Sequence, residues 1–376
     1  MTKVLITGGA GFIGSRLALK LSDRGHEVTV LDILAEQVHG ADPERSELYR
    51  SIEGRVRFIR GDVTDRNAMT AALAGQEVVV HFAAETGTGQ SMYKIEHYTA
   101  VNIGGTSLMF DILANAPHAV KRIVVASSRS VYGEGKYRSP ELGDVYPEHR
   151  AAADMTAGDF EVKYPGSSPL TLTATDEESK LHPSSLYGIT KQVQEQMVMT
   201  LSPTLGIEPV ALRYQNVFGP GQSLSNPYTG ILSIFSNLIM QGKPLNIFED
   251  GLESRDFVFV DDVVDATVLG VEKPEAGGHV FNVGTGVPVS VNQVVSALER
   301  HLKLPVQSAI SGNFRLGDIR HNYADMTRAN AVLGFSPAYD FERGIAEFCQ
   351  WVLASGPQES GYERSIAEMK NKGLMK

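Results

Sequence analysis

Cysteine is nearly absent. Cys349 is the one cysteine among 376 residues, which excludes an intrachain disulfide and any zinc cage built on thiolates. It stands two positions before Trp351 in a stretch of helical pattern and is expected to pack inside rather than act as a nucleophile. Positive charge is also short: 34 Lys and Arg face 44 Asp and Glu, for a formal net charge of −10. That balance excludes the basic stripe a nucleic-acid surface needs. It still allows an anionic ligand held by a few placed arginines. No apolar run reaches the roughly 18 residues of a membrane span. Met1-Thr2-Lys3 runs into an apolar strand without the pattern of a secretory signal. A cytoplasmic chain with no membrane, nucleic-acid or metal partner is expected. No internal repeat is present.

What is there is an ordinary globular balance, 42% hydrophobic and 21% charged, long enough for two lobes. Short apolar runs read as strands over 3–7, 27–32, 56–60, 78–82, 122–127, 208–213, 255–260 and 278–283. Between the first five lie amphipathic stretches of helical length at 14–23, 67–74 and 103–114. Strands without polar alternation, separated by helices, predict βαβ units and a parallel sheet buried on both faces. The expected fold class is α/β: a doubly wound parallel sheet of Rossmann type with a smaller C-terminal α/β substrate-binding lobe. Residues 1–212, joined by about 255–285, are assigned to the nucleotide-binding lobe; 213–254 and 286–355 are assigned to the smaller one. Residues 134–183, rich in Pro, Gly, Ser and acids, form an insertion that is either a functional flap or a solvated excursion. The polar segment 361–376 is expected to be a flexible tail.

Gly8-Gly9-Ala10-Gly11-Phe12-Ile13-Gly14 follows the first strand and opens a helix. Glycines at 8, 11 and 14 let the backbone turn tightly and bring a pyrophosphate to the helix N-terminus, where free N–H groups and the dipole favour anions. The second strand ends in Asp32. A carboxylate there accepts hydrogen bonds from ribose hydroxyls and repels a 2′-phosphate, and Ile33-Leu34 supplies no arginine to welcome one. NAD is therefore expected over NADP. Tyr187-Gly188-Ile189-Thr190-Lys191 places a phenol and an ammonium one helical turn apart on one face. A nearby lysine and the positive nicotinamide ring favour the phenolate, so Tyr187 could take a proton from a sugar hydroxyl. Ser128, in Ala126-Ser127-Ser128-Arg129-Ser130-Val131-Tyr132-Gly133, ends a strand at the crevice and could hydrogen-bond the reacting oxygen. His81, where a strand meets the sheet's edge, is expected to make a structural hydrogen bond.

With these motifs the sequence resembles the extended short-chain dehydrogenase/reductases, in their nucleotide-sugar epimerase/dehydratase branch. Gly61-Asp62-Val63, His81-Phe82-Ala83-Ala84, Val101-Asn102 with Gly105-Thr106, Arg213 with Asn216-Val217-Phe218-Gly219-Pro220, Arg255-Asp256-Phe257-Val258 and Asn282-Val283-Gly284 fall in the family's order. The resemblance implies Ser128, Tyr187 and Lys191 as the catalytic set. It puts Asp62 and Val63 by the adenine, Ala83 and Ala84 along the cofactor cleft, and Lys191 on the nicotinamide ribose. Phe12, Ile13 and Asn102 join the implied cofactor set. Asn216, Arg255 and Arg315 are implied phosphate ligands, with Glu85, Thr86, Arg129, Ser130 and Asp318 also facing the substrate, a nucleotide-diphosphate sugar.

The branch's 4,6-dehydratases carry an Asp-Glu pair directly after the strand's Ser or Thr, where this chain has Arg129-Ser130. Nothing announces a substrate carboxylate for decarboxylation. What remains is 4-epimerisation without net redox change. The alternatives are a net NAD-dependent oxidoreductase and an inactive binding protein; the latter would be expected to lose Tyr187, Lys191 or the glycine turn. Segments 84–92, 128–135 and 215–230 are similar to the dTDP-L-rhamnose 4-epimerase group, which implies a dTDP-linked 6-deoxyhexose. A UDP-hexose or UDP-uronate is the alternative. The resemblance also implies a homodimer through the helix around Tyr98–Leu113 and the one carrying Tyr187. Leu108, Ile112, Val193 and Met197 suit that contact and suit packing on the sheet equally.

Overall fold

The computed structural model describes every residue except Ser168 and Thr229, so Thr229 of the segment 215–230 lies outside the described residues. Seven strands form the large sheet: β1 (Lys3–Thr7), β2 (Glu27–Asp32), β3 (Arg57–Arg60), β4 (Val78–His81), β5 (Arg122–Ser128), β6 (Glu208–Tyr214) and β7 (His279–Val283). Their order is β7-β6-β5-β4-β1-β2-β3, and every neighbouring pair is parallel. The order reverses beside β1, which opens the crevice at the strands' carboxyl ends.

Alternation along the strands assigns the two faces. Val4 and Ile6 pack with Leu17 and Leu21 of α1 (Phe12–Asp23). Leu5 faces the other way, toward Met69 of α2 (Arg66–Leu73), Met109 of α3 (Gly105–Asn115) and Val198 of α4 (Leu186–Thr204). Both faces are covered, so the strands read as nearly unbroken apolar runs.

The second lobe gathers α5 (Ile231–Met240), α7 (Val291–Leu302) and α8 (Phe341–Ser355) around Phe218, Phe257 and Phe259. Cys349 of α8 is buried there, and burial pushes its thiol up to about 12, which removes it from nucleophilic chemistry.

Three features depart from the sequence reading. Strand Ser254–Phe259 does not join the large sheet, whose edge beyond β6 is taken by β7. It lies between Asn216–Phe218 and Pro288–Ser290 and also pairs with His321–Asn322. Of the span 255–285, α6 (Val260–Glu272) and β7 stay with the large sheet. The insertion is folded, with an antiparallel sheet of Tyr137–Ser139, Gly143–Val145 and Thr171–Leu172. The expected tail forms α9 (Tyr362–Asn371), with Ser365, Met369 and Met375 buried. Its inward residues Tyr362, Ser365, Ile366 and Met369 follow helical spacing, which supplies the force that docks it. Among the described residues, no helix is long and apolar enough to cross a membrane.

Candidate active site

The crevice opens into a cavity of about 850 Å³ running from β1 and β2 across to the second lobe. At its cofactor end, Gly8 has φ +70°, and a Cβ there would stand 2.8 Å from the Ala83 backbone nitrogen. Only glycine allows that approach of β1's turn to the end of β4. Gly11 caps α1, whose first turn carries no acid, so the unpaired N–H groups and the positive end of the helix are left for an anion. Asp32, at the end of β2, accepts from the Ala10 N–H at 2.9 Å and the Leu34 N–H at 2.8 Å. Its carboxylate thus braces the glycine turn while lining the cavity. Asp62 closes its own turn by accepting from the Thr64 N–H at 2.8 Å, and Val63 packs on Gly105. This cradle fits a dinucleotide, with the pyrophosphate over the turn and the adenosine between Asp32 and Asp62–Val63.

At the chemical end, Ser185 caps α4 by accepting from the Gly188 N–H at 3.2 Å. A Cβ at Gly188 would meet the Ser130 carbonyl oxygen at 2.6 Å, so glycine lets the first turn of α4 lie against the end of β5. That contact brings Tyr187 beside Ser128, whose hydroxyl acts to lower the phenol. Ser130 donates to the Ser128 oxygen at 2.9 Å from its hydroxyl and at 3.1 Å from its N–H, fixing the rotamer. Lys191 is buried and donates to the Ala126 carbonyl at 2.8 Å and to Gln194 at 3.0 Å. Burial holds its amine down at about 7.

The electrostatics differ from the sequence expectation. Burial raises the Tyr187 phenol above its ordinary value; the Ser128 hydroxyl and the charge of Arg129 pull it back. The cation acting on the phenol is Arg129, while Lys191 directs two of its three hydrogens to Ala126 and Gln194. Arg129 is itself lowered to about 9 by burial and then by the neighbouring Arg255. Its Nε donates to Asn216 at 2.9 Å. Arg255 donates to the carbonyls of Ile319 and Arg320 at 2.7 and 3.0 Å, and Arg315 lies over the Phe248 ring, 4.9 Å from its centroid. Three guanidinium groups thus face one cavity, an arrangement suited to a diphosphate.

Every sequence-derived site residue lines this cavity apart from Asn102. Asn102 is fully buried behind the wall, accepting from the Glu85 N–H at 2.7 Å and donating to the Glu85 carbonyl at 3.1 Å and to Thr190 at 2.9 Å. It sets Glu85 in place from behind. His81 bridges Thr7 at 2.8 Å and Thr106 at 2.9 Å, a structural role. Sequence reasoning missed Ser91, whose hydroxyl accepts from the Tyr187 N–H at 3.1 Å. It also missed Phe248, Glu253 and the inner face of α9, all in the cavity wall. The spacing of Tyr362, Ile366 and Met369 was the available signal for α9.

Residues 4–284 match the NAD dependent epimerase/dehydratase family. The chain belongs to that family. It is 37% identical over 352 residues to dTDP-L-rhamnose 4-epimerase of Burkholderia thailandensis, covering 93% of this chain and 94% of that protein. It is 32% identical to UDP-glucose 4-epimerase of Mycolicibacterium smegmatis, covering 92% and 96%. The crystal structure of UDP-glucuronic acid 4-epimerase from Bacillus cereus, in complex with UDP-glucuronic acid and NAD, superposes with a TM-score of 0.76 at 25% identity, covering 94% of this chain and 99% of that one. The family assignment agrees with the cradle of glycine turn, Asp32 and Asp62, and with a Tyr187 and Lys191 pair aimed into the same cavity.

Proposed function

We propose that this member of the family is an NAD-dependent nucleotide-sugar 4-epimerase, and that its substrate pair is dTDP-L-rhamnose and dTDP-6-deoxy-L-talose. The observation that carries the reaction is the convergence of Tyr187, Ser128 and Lys191 with Arg129, Arg255 and Arg315 in one cavity. The sugar rests on the identity to a dTDP-L-rhamnose 4-epimerase over nearly the whole chain.

Tyr187 takes the proton of the sugar's C4 hydroxyl while Ser128 donates a hydrogen bond to the same oxygen. The glycine turn, Asp32 and Lys191 would hold NAD, which would supply the acceptor and donor of the C4 hydride, so the reaction has no net redox change. Arg255 and Arg315 hold the diphosphate, leaving the 4-keto sugar to turn about its bond to the phosphate. With the ring turned, its opposite face lies toward the cofactor cleft, and Tyr187 returns the proton to the C4 oxygen. Much of the acceleration comes from alignment of the reacting groups. Arg129-Ser130 in place of an acid pair supports epimerisation over water elimination.

Incubation with dTDP-L-rhamnose in deuterated water, followed by NMR, tests the reading. The expected product is the 4-epimer with no deuterium at C4. Deuterium at C4 would overturn internal hydride return; turnover of a UDP-sugar instead would reassign the substrate. The assembly we propose is a homodimer through α3 and α4, supported by the half-buried Leu108, Val193 and Met197 on those helices. Light scattering at the monomer mass would overturn it.

A further inference from the structure

The C-terminal sixteen residues are built onto the two ends of the chemistry. At the phosphate end, the strand-like segment after α9 pairs with Phe314–Leu316. Phe314 N–H donates to the Lys376 carbonyl at 2.9 Å, Lys376 N–H donates back at 3.1 Å, and Leu316 N–H donates to Leu374 at 3.0 Å. Arg315 lies between these bonds and bridges Met375. At the catalytic end, the sulfur of Met369 lies 3.1 Å from where a Cβ on Gly89 would stand. Gly89 is in the short helix Thr88–Ser91, whose Ser91 hydroxyl holds the Tyr187 backbone. Glu368 accepts from the phenols of Tyr93 at 3.0 Å and Tyr228 at 3.2 Å, and those phenols are 2.6 Å apart. Lys372 sits 5.1 Å from the centre of the Tyr93 ring. Between the two ends, Tyr362, Ser365, Ile366 and Met369 line the cavity.

We infer that α9 is the roof of the sugar subsite, and that Ile366 and Met369 are positioning residues that close it over the sugar. This rests on the nucleotide-sugar epimerase reading. Arg315 and Tyr187 line the same cavity as the inner face of α9, so a helix fixed at both ends covers the space between the diphosphate site and the reacting carbon. Ile366 and Met369 make the centre of the roof apolar, the Ser365 hydroxyl donates to the Tyr362 carbonyl at 2.7 Å, and Glu363, Arg364 and Lys370 turn outward. Ile366 and Met369 offer the ring no hydrogen bond and so let it turn, while keeping the uncharged 4-keto sugar from leaving. Escape of that sugar at this stage is balanced: the sugar has lost a hydride and a proton, and the enzyme keeps the hydride as bound NADH.

The experiment compares the full chain with a chain ending at Ser360 and with an Ile366→Ser/Met369→Ser double variant. NAD affinity, KM and kcat for the nucleotide sugar, and the near-ultraviolet absorbance of bound NADH during turnover are measured. Truncation is expected to leave NAD affinity unchanged and to raise KM by about tenfold, the loss of one or two buried apolar contacts. Bound NADH should accumulate as keto sugar escapes. The double variant should show the same two signs with α9 still in place. It carries the test alone if the shortened chain does not fold. A folded variant with unchanged KM and no accumulated NADH overturns the roof while the wild type remains an epimerase. A wild-type chain inert toward every dTDP- and UDP-sugar overturns the epimerase reading, and the roof with it.

Discussion

Tyr187 is a phenol whose acidity is set by a contest among its neighbours. Burial raises it, and Ser128 and Arg129 lower it. Tyr187→Phe removes the proton acceptor and keeps the ring; kcat should fall about a thousandfold while calorimetric affinity for the nucleotide sugar stays close to wild type. Turnover near wild type would take Tyr187 out of its role. Arg129→Gln removes the cation that acts on the phenol. The phenolate then forms only at higher pH, so the rising limb of kcat/KM against pH should move to the alkaline side. A limb that stays in place would show that Arg129 serves the diphosphate alone. Asp32 braces Ala10 and Leu34 while lining the cavity, and we propose that it also receives the ribose hydroxyls. Asp32→Ala should therefore weaken NAD and narrow the preference over NADP, read by titrating both dinucleotides.

At the scale of elements, the insertion is held by charge. Arg150, 3% exposed, pairs with Glu249 at 2.8 Å and approaches Glu134 at 3.4 Å. It also donates to the Asp318 carbonyl at 3.0 Å. Glu134 accepts from the Arg320 N–H at 2.6 Å. The insertion therefore clamps the segment that carries Arg315 and Asp318. Glu249 keeps the Arg320 guanidinium at 3.1 Å, so Arg150→Met leaves the buried Glu134 without its cation and should cost about 3–5 kcal/mol, measured by urea denaturation. Unchanged stability would mean that the small apolar clusters dock the insertion unaided. This clamp also explains what the sequence could show. The large-sheet strands were legible to within about a residue at each end, because strands buried on both faces are apolar throughout. The glycine turn and the Tyr187–Lys191 pair were legible because their spacing is local. The insertion was not, since its partners Glu249 and Arg320 lie 99 and 186 residues from Arg150 and Glu134 respectively, and ion pairs leave no periodicity. The tail read as frayed because its charged outer face outweighs the four residues that turn inward.

Across the whole molecule, buried groups divide into two sets that respond to acid in opposite directions. Burial lowers His81 to about 3 and His321 to about 4. An unfolded histidine titrates near 6.5, so below that pH the unfolded chain takes up protons first. Stability from these two groups falls as pH drops through 6.5. Burial raises Glu134 and Glu253 to about 7, well above an unfolded glutamate. Between pH 7 and the unfolded value the folded chain takes up the proton first, so these groups add stability as pH falls. Surface ion pairs add their own slope, which cancels when a variant is compared with wild type. His81→Asn keeps a hydrogen-bonding side chain between Thr7 and Thr106 and removes the titration. Relative to its own stability at neutral pH, that variant should lose less than wild type on acidification toward about pH 5. Glu134→Gln should lose more. Urea midpoints at the two pH values, at constant slope, measure both. Equal slopes for all three chains would mean that neither buried group changes its proton affinity on folding and would overturn the division into two sets.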